Sequence, residues 1–322
     1  MGRYIVRRLA WAILVMVLVS FLTYVIYVVM PPLDPTEIFT HGQRTQRASQ
    51  LIREQFGLNR SLWGQYTTFA RHLFLGDRWG WPGLGYSFYT RSSLRPILLG
   101  RMVITAQLVG GAALVWLGLG IPVGILSALH PRSVRDRLAM GAALVAVSTP
   151  VFWLGLLFLY VFWYRLRWAP GTGYTPIGTF GFWSWLGHWI LPWTVLAVLF
   201  AAFYARMSRA NMIEVLGEDF IRTARGKGLS ERRVTMVHAL RASVTPLITM
   251  FGMDVGTLLG GAIITERVFN LQGMGSYAVD SVTRGDLFAL ADISLMAAFF
   301  ITIMNLIVDV MYAALDPRVR YR

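Results

Sequence analysis

Residues 204–246 have the sequence YARMSRANMIEVLGEDFIRTARGKGLSERRVTMVHALRASVTP and form the most polar stretch between two strongly apolar ones. They contain eight arginine or lysine residues against four acidic residues. Because a charge at the centre of a bilayer costs about 2.5 to 3.5 kcal/mol on insertion scales, this stretch does not cross a membrane. It is therefore expected to lie in water between two membrane-spanning segments.

Within this stretch, the spacing predicts a short amphipathic helix and a second helix after it. Phe220, Ala224 and Gly228 recur every four residues and so share one narrow face of a helix. A glycine beside Lys227 is expected to end the first helix in the left-handed conformation. Ser230 then stands where an N-cap would begin the second helix. This shape suits docking into a groove of another protein.

The composition indicates a protein with several membrane-spanning helices. Of the 322 residues, 56% are hydrophobic and 14% are charged, and the mean hydropathy is +0.54. The absence of cysteine excludes disulfides, thiolate metal sites and cysteine nucleophiles, and the five histidines lack a metal-binding spacing, so no metal site is predicted. The net charge of +14 is explained by basic loops that face anionic lipid, and no nucleic-acid partner is expected.

Six apolar runs approach or exceed the roughly 20 residues that a bilayer requires. They are residues 9–30, 102–129, 138–164, 188–205, 242–265 and 288–315. The polar segment between the first two runs, residues 31–100, begins with helix-breaking prolines, and amphipathic pieces are predicted in it near residues 49–56 and 62–75. The short segments on one side of the membrane contain more arginine than the short segments on the other side. This bias predicts that both termini and residues 204–246 lie in the cytoplasm.

Polar features inside two of these spans suggest a solute path. The break Ser148-Thr149-Pro150 is expected to kink the third span, either because it lines a path or only for packing. Asp254 lies in the middle of the fifth span, where it either lines the path or forms a hydrogen bond to another helix. The four glycines within residues 252–261 either let another helix approach closely or leave room for a solute.

Two further polar positions lie near the ends of spans. Glu266 follows the fifth span at its expected outer end, as either a solvated cap or an outer gate residue. Asn305 and Asp309 are four residues apart on one face of the last span, which predicts a contact with another helix.

Several stretches resemble one family of transport proteins. The run DFIRTARGKGLSERRV, followed by HALR, resembles the EAA loop of bacterial ABC-transporter permeases, in the version of the dipeptide, oligopeptide and nickel import family. The chain is also similar to this family in LIREQFGLNRSLWGQYTTFARHLFLGD, TERVFNLQGMG and NLIVDVMYAALDPRVR. Of the general E-A-A-x-x-x-G and I-x-L-P pattern, only Ala224, Gly228 and Leu240 are kept, so the resemblance is to the subfamily.

The expected fold is an all-α integral membrane protein with six transmembrane helices. An extracytoplasmic segment lies between helices 1 and 2, and the resemblance implies a cytoplasmic coupling helix between helices 4 and 5. The chain would be a single permease domain, residues 1–322, made of the first span (1–30), the extracytoplasmic segment (31–100) and a five-helix core (101–322) with a coupling loop (206–243). The residues implied to contact an ATPase are Asp219, Phe220, Arg222, Thr223, Ala224, Arg225, Gly226, Lys227, Gly228 and Leu229.

The resemblance also implies the function and the partners. The chain would be the transmembrane subunit of an ATP-driven peptide importer in the bacterial plasma (inner) membrane, multi-pass and surrounded by lipid. It would form a heterodimer with a second homologous permease subunit and assemble with two cytoplasmic ABC ATPase subunits or domains and an extracytoplasmic substrate-binding protein. The chain has no G-x-x-x-x-G-K-[ST] motif, so ATP and magnesium are assigned to those ATPases, and neither a cofactor nor enzymatic activity is expected in this chain.

Other functions remain open at the level of the sequence. The carried solute is alternatively a nickel chelate, glutathione or another small solute. A membrane-embedded enzyme using Asp254, Glu266 or Asp309 is a candidate from another class, but no paired carboxylates, H-E-x-x-H or G-x-S-x-G element supports it. A channel or ion-coupled carrier is disfavoured by the absence of visible inverted repeats and by the docking-shaped loop.

Overall fold

The computed structural model describes residues 2–30, 61–87 and 89–315. The amphipathic piece predicted near residues 49–56 and the closing stretch after residue 315 lie outside these residues. Within them, the prediction of an all-α membrane protein is confirmed, because five helices are long and apolar enough to cross a membrane and one bent pair raises the number to six.

The helices follow in chain order, with π-helical continuations named beside them. They are α1 (Gly2–Tyr24, continued by Val25–Val29), α2 (Leu62–Leu75), α3 (Leu94–Leu129), α4 (Val134–Ser148), α5 (Val151–Phe158, continued by Leu159–Arg165), α6 (Ile177–Leu216), α7 (Asp219–Gly226), α8 (Glu231–Arg233, continued by Val234–Ala239), α9 (Leu240–Leu259), α10 (Ile263–Val268), α11 (Met274–Arg284) and α12 (Leu287–Leu315). A small antiparallel hairpin precedes α3, formed by β1 (Tyr86–Ser87) and β2 (Ser92–Ser93).

The third span is broken rather than kinked. The sequence predicted a single helix over residues 138–164, but α4 and α5 meet at an angle of 103°. Thr149 is extended, with φ −89° and ψ 126°, because a following proline disfavours the helical conformation of the residue before it. Pro150 also lacks the N–H that a continuous helix would use.

The helices that flank the polar stretch are longer than predicted. α6 runs to Leu216, so the residues from 206 to 216 belong to a helix and not to a loop. Buried Ser208 and Met212 show why, since this part of α6 still packs against the bundle. α8 and α9 follow each other without a break and end before Gly261. Gly261 has φ +136°, a backbone conformation that residues other than glycine rarely adopt. The fifth span therefore ends earlier than residue 265, and α3 begins at Leu94 rather than at residue 102.

α3 and α6 form the most extensive helix contact of the described residues. A Cβ atom at Gly120 would lie 2.8 Å from the carbonyl oxygen of Ala201, so the two backbones approach without an intervening side chain. The fully buried Trp116 stacks on Phe200 of α6 at a ring-centroid distance of 4.8 Å. These contacts place the main apolar core between α3 and α6.

The glycines of α9 let another helix approach closely, which decides between the two interpretations of that face. A Cβ atom at Gly252 would overlap the side chain of Val308 on α12. A Cβ atom at Gly256 would lie 3.2 Å from the Cα atom of Ile301, again on α12. The face is therefore filled by α12 and leaves no room for a solute there.

We predict that Gly252→Ala lowers the stability of the protein by about 1 to 3 kcal/mol, because the added methyl group overpacks the α9–α12 contact. The measurement is the thermal unfolding midpoint in detergent. Gly118→Ala on α3 is the matched control, since a Cβ atom there meets nothing within 4 Å. Gly252→Ala combined with Val308→Ala should recover the loss, and an unchanged midpoint in the single Gly252 variant would contradict this close contact.

Candidate functional site

α7 lies against the bundle through its apolar side. Ile221 is fully buried and Ala224 is 7% exposed. Both belong to an apolar cluster that also includes the ends of α3 and α6 and the segment after α7. This α7 packing cluster consists of Ile125, Ala128, Met212, Ile221, Ala224, Val234 and Ala239. A displacement of α7 would therefore act on α3 and α6 together.

The face predicted from the spacing of four is divided in the structure. Ala224 turns toward the bundle, whereas Phe220 is 47% exposed and Gly228 is exposed. Successive helix residues are about 100° apart, so Ala224 lies between Phe220 and Ile221 on the helix surface. The bundle covers the Ile221 side and leaves an aromatic ring outward. The sequence analysis missed the role of Ile221.

The turn after α7 has the predicted conformation. Gly228 has φ +78°, which confirms the left-handed end of the helix, and its N–H donates to the carbonyl oxygen of Arg225 at 2.9 Å. Ser230 precedes α8 as expected, but its side chain forms no capping hydrogen bond. Arg225 binds Glu231 through Nε and Nη2 at 2.7 and 3.2 Å, which ties the two ends of the turn. Any larger residue at Gly228 would be strained, so that position is a poor probe of docking.

The outward side of α7 is exposed and mostly basic. Of the ten residues implied to contact an ATPase, eight are exposed, Leu229 is half-buried and Ala224 is buried. The ion pair of Arg222 with Asp219 spans 3.4 Å between side chains that are 74% and 94% exposed, so it adds little stability. This side offers a protein partner one aromatic ring surrounded by charged groups.

A partly buried ion pair that the sequence analysis missed lies beside the α7 packing cluster. Asp136 in the first turn of α4 is 3% exposed, and Arg209 of α6 donates to it through Nε and Nη2 at 2.6 and 2.9 Å. Ser127 Oγ of α3 donates at 2.5 Å, and the backbone N–H of Arg132 donates at 2.8 Å. The one available signal was that Asp136 is the single acid in the arginine-rich turn HPRSVRDR.

Asp254 forms an inter-helix hydrogen bond. Tyr204 of α6 donates its hydroxyl to Asp254 Oδ2 of α9 at 2.7 Å, which supports the structural interpretation of this carboxylate. Met253 and Thr257 beside it on α9 are exposed, so the predicted role of Asp254 on the path remains a prediction. Ser148 and Pro150, the other predicted path residues, are exposed at the break between α4 and α5.

Glu266 is fully buried, so its interpretation as a solvated cap is wrong. It lies in the separate helix α10, where its carboxylate accepts hydrogen bonds from Thr105 Oγ1 of α3 and from the backbone N–H of Ser276, both at 2.7 Å. Burial raises the pKa of this carboxyl, and these hydrogen bonds oppose the rise. A Cβ atom at Gly273 would overlap the carboxylate, which explains the glycine before α11. The gate role remains a prediction.

The last span is tied to the first one by an ion pair. Arg8 of α1 lies 3.1 Å from Asp309 of α12, which confirms the predicted contact of that carboxylate with another helix. Asn305, one turn earlier on α12, lines a small cavity together with Arg8 and Asp309. In the part of the chain that the structure describes, no group of three or more histidine, aspartate or glutamate residues is arranged to hold a metal ion.

Two family models match the sequence and together cover nearly all of it. Residues 120–321 match the family described as "Binding-protein-dependent transport system inner membrane component". Residues 1–109 match the family described as "Binding-prot-dependent transport system membrane comp, N-term". The first match contains the α7 packing cluster, Asp136 and Glu266, so the geometry of these groups belongs to the part of the chain that this model recognises.

Individual proteins agree with these models. The chain is 35% identical over 348 residues to the dipeptide transport system permease protein DppB and 37% identical over 324 residues to the glutathione transport system permease protein GsiC, both of Escherichia coli K12 and both matched over 100% of each chain. A solved structure titled as inward-facing conformations of the MetNI methionine ABC transporter matches with a TM-score of 0.55 at 15% identity, over 69% of this chain and 98% of that one, and supports the fold alone. The chain belongs to the family of inner membrane components of binding-protein-dependent transport systems, as a permease subunit of an ABC importer.

Proposed function

We propose that this permease imports peptides and receives its driving force through α7. In this proposal it forms half of a translocation path, and a second homologous permease subunit forms the other half. Two cytoplasmic ATPase subunits or domains bind ATP and magnesium, and an extracytoplasmic binding protein delivers the peptide. Both termini and α7 lie in the cytoplasm.

The observation that carries the coupling role is the division of α7 into a packed and a free side. Ile221 and Ala224 fix the helix to α3 and α6, whereas Phe220 projects outward among charged residues. An exposed aromatic ring on a short, firmly attached helix is the kind of anchor that fills a pocket of a partner protein. Because α7 is attached to two long helices, a force on it would reach the membrane part of the chain.

The distribution of charge supports the proposed orientation. Arg222, Arg225 and Lys227 of the α7 region are all exposed. Basic residues in loops are retained on the cytoplasmic side during membrane insertion. The same side is where ATPase subunits would be found, so the basic face and the proposed partner agree.

The proposed cargo follows from the relatives. Their names assign dipeptide transport to one and glutathione transport to the other, and glutathione is itself a small peptide derivative. For the path we propose Asp254, which lies half-buried beside the exposed Met253 and Thr257 of α9, together with Ser148 and Pro150 at the break between α4 and α5.

We predict that Phe220→Asp reduces ATP-dependent uptake and the affinity of the permease for its ATPase by about tenfold or more, because truncating an aromatic anchor at the centre of an interface typically costs at least 2 kcal/mol. The readouts are uptake into proteoliposomes and co-purification of the ATPase.

The matched control is Val134→Asp. Val134 is 71% exposed at the start of α4, so this substitution introduces the same charge outside α7. The control variant should assemble and transport like the wild type. Normal uptake by the Phe220→Asp complex would contradict the docking role of α7.

A separate prediction concerns the cargo. The binding protein that serves this permease, isolated from cells without added ligand, should release peptides that mass spectrometry identifies. A nickel chelate or another non-peptide solute in that protein would contradict the peptide assignment and leave the coupling proposal intact.

A further inference from the structure

The Asp136–Arg209 pair joins three parts of the chain at one point. Asp136 accepts hydrogen bonds from Ser127 near the end of α3, from the backbone of Arg132 in the following turn, and from the guanidinium of Arg209 on α6. The carboxylate is nearly inaccessible to water and its partners satisfy both oxygens. Breaking such a contact on one side would leave a buried charge unpaired, which is strongly unfavourable.

This pair lies at the same level of the bundle as the α7 packing cluster. On α3, Ser127 falls between Ile125 and Ala128, which are both members of the cluster. On α6, Arg209 precedes the cluster member Met212 by three residues, about one helical turn. The polar pair and the apolar contact of α7 therefore use the same turns of both helices.

α3 and α6 cannot slide past each other easily at this level. A Cβ atom at Gly124 would overlap the carbonyl oxygen of Ala205 and would lie 2.6 Å from the Cβ atom of Ser208. With so little space between the two backbones, a relative shift would clash. It would also strain the hydrogen bonds that link Ser127 of α3 through Asp136 of α4 to Arg209 of α6.

We propose that Asp136 and Arg209 are positioning residues for energy coupling. The pair makes α3, α4 and α6 move as one body when α7 is displaced, so that each ATP hydrolysed produces the full rearrangement of the path. This inference rests on the proposed function of α7 and adds to it the connection between α7 and the membrane helices.

The test uses Arg209→Lys in the complete transporter reconstituted in proteoliposomes. Lysine keeps the positive charge but cannot form the two-point contact that the planar guanidinium makes with the carboxylate. The number of peptides transported per ATP hydrolysed should fall by roughly three- to thirtyfold, the range seen when a coupling network is perturbed. Arg137→Lys is the matched control, because Arg137 is exposed next to Asp136 and should keep the wild-type ratio.

A distance measurement separates positioning from simple loss of folding. Because the chain has no cysteine, spin labels can be placed at Leu138→Cys on α4 and Ala210→Cys on α6, both exposed. In the labelled protein that keeps Asp136 and Arg209, the distance between the two labels should be the same in the nucleotide-free and ATP-trapped states. With Arg209→Lys, or with Asp136→Asn as a second variant, it should differ between the states or broaden.

The outcomes distinguish the two proposals. A wild-type ratio of transport to hydrolysis together with an unchanged label distance in Arg209→Lys would overturn the positioning role. Failure of both variants to assemble would also overturn it, because the pair would then serve folding alone. Absence of any ATPase association with the wild-type permease would instead overturn the proposed function of α7.

Discussion

A carboxylate inside an apolar helix bundle must be hydrogen-bonded, and this requirement determines how the helices of this permease meet. Water is not available there to compensate an unpaired charge, and the cost of leaving one is several kcal/mol. The buried Asp136 and Glu266, and also the half-buried Asp254, accept hydrogen bonds from groups on other elements. These acids therefore act as fixed points between segments that are distant in sequence.

α3 connects two of these fixed points. In its first third it donates from Thr105 to Glu266, and near its C-terminal end it donates from Ser127 to Asp136. Between them, glycines let α6 lie directly against it. The attachment of α7 to this helix pair gives a short polar element a direct mechanical contact with long apolar helices, which is the arrangement that the proposed coupling requires.

The sequence predicted what depends on local or periodic patterns. α2 has the predicted bounds. Gly228, which follows α7, has the predicted left-handed conformation. The misses concern contacts across the fold. Thr105 and Glu266 are 161 residues apart, and Asp136 and Arg209 are 73 apart, so no spacing rule connects them. α6 is also longer than predicted, because charged Arg209 is typical of a loop in the local sequence and its buried partner Asp136 is distant along the chain.

Cysteine cross-linking tests the proposed contact of α7 with a cytoplasmic ATPase most directly. Arg222→Cys introduces one reactive thiol on the exposed side of α7 in a chain that otherwise has none. In inside-out vesicles, a thiol-reactive photo-cross-linker attached to this cysteine should join the permease to its ATPase. In intact cells, a membrane-impermeant maleimide should not label the introduced thiol. Labelling of the introduced thiol from outside intact cells, without any cross-link to an ATPase, would contradict the account.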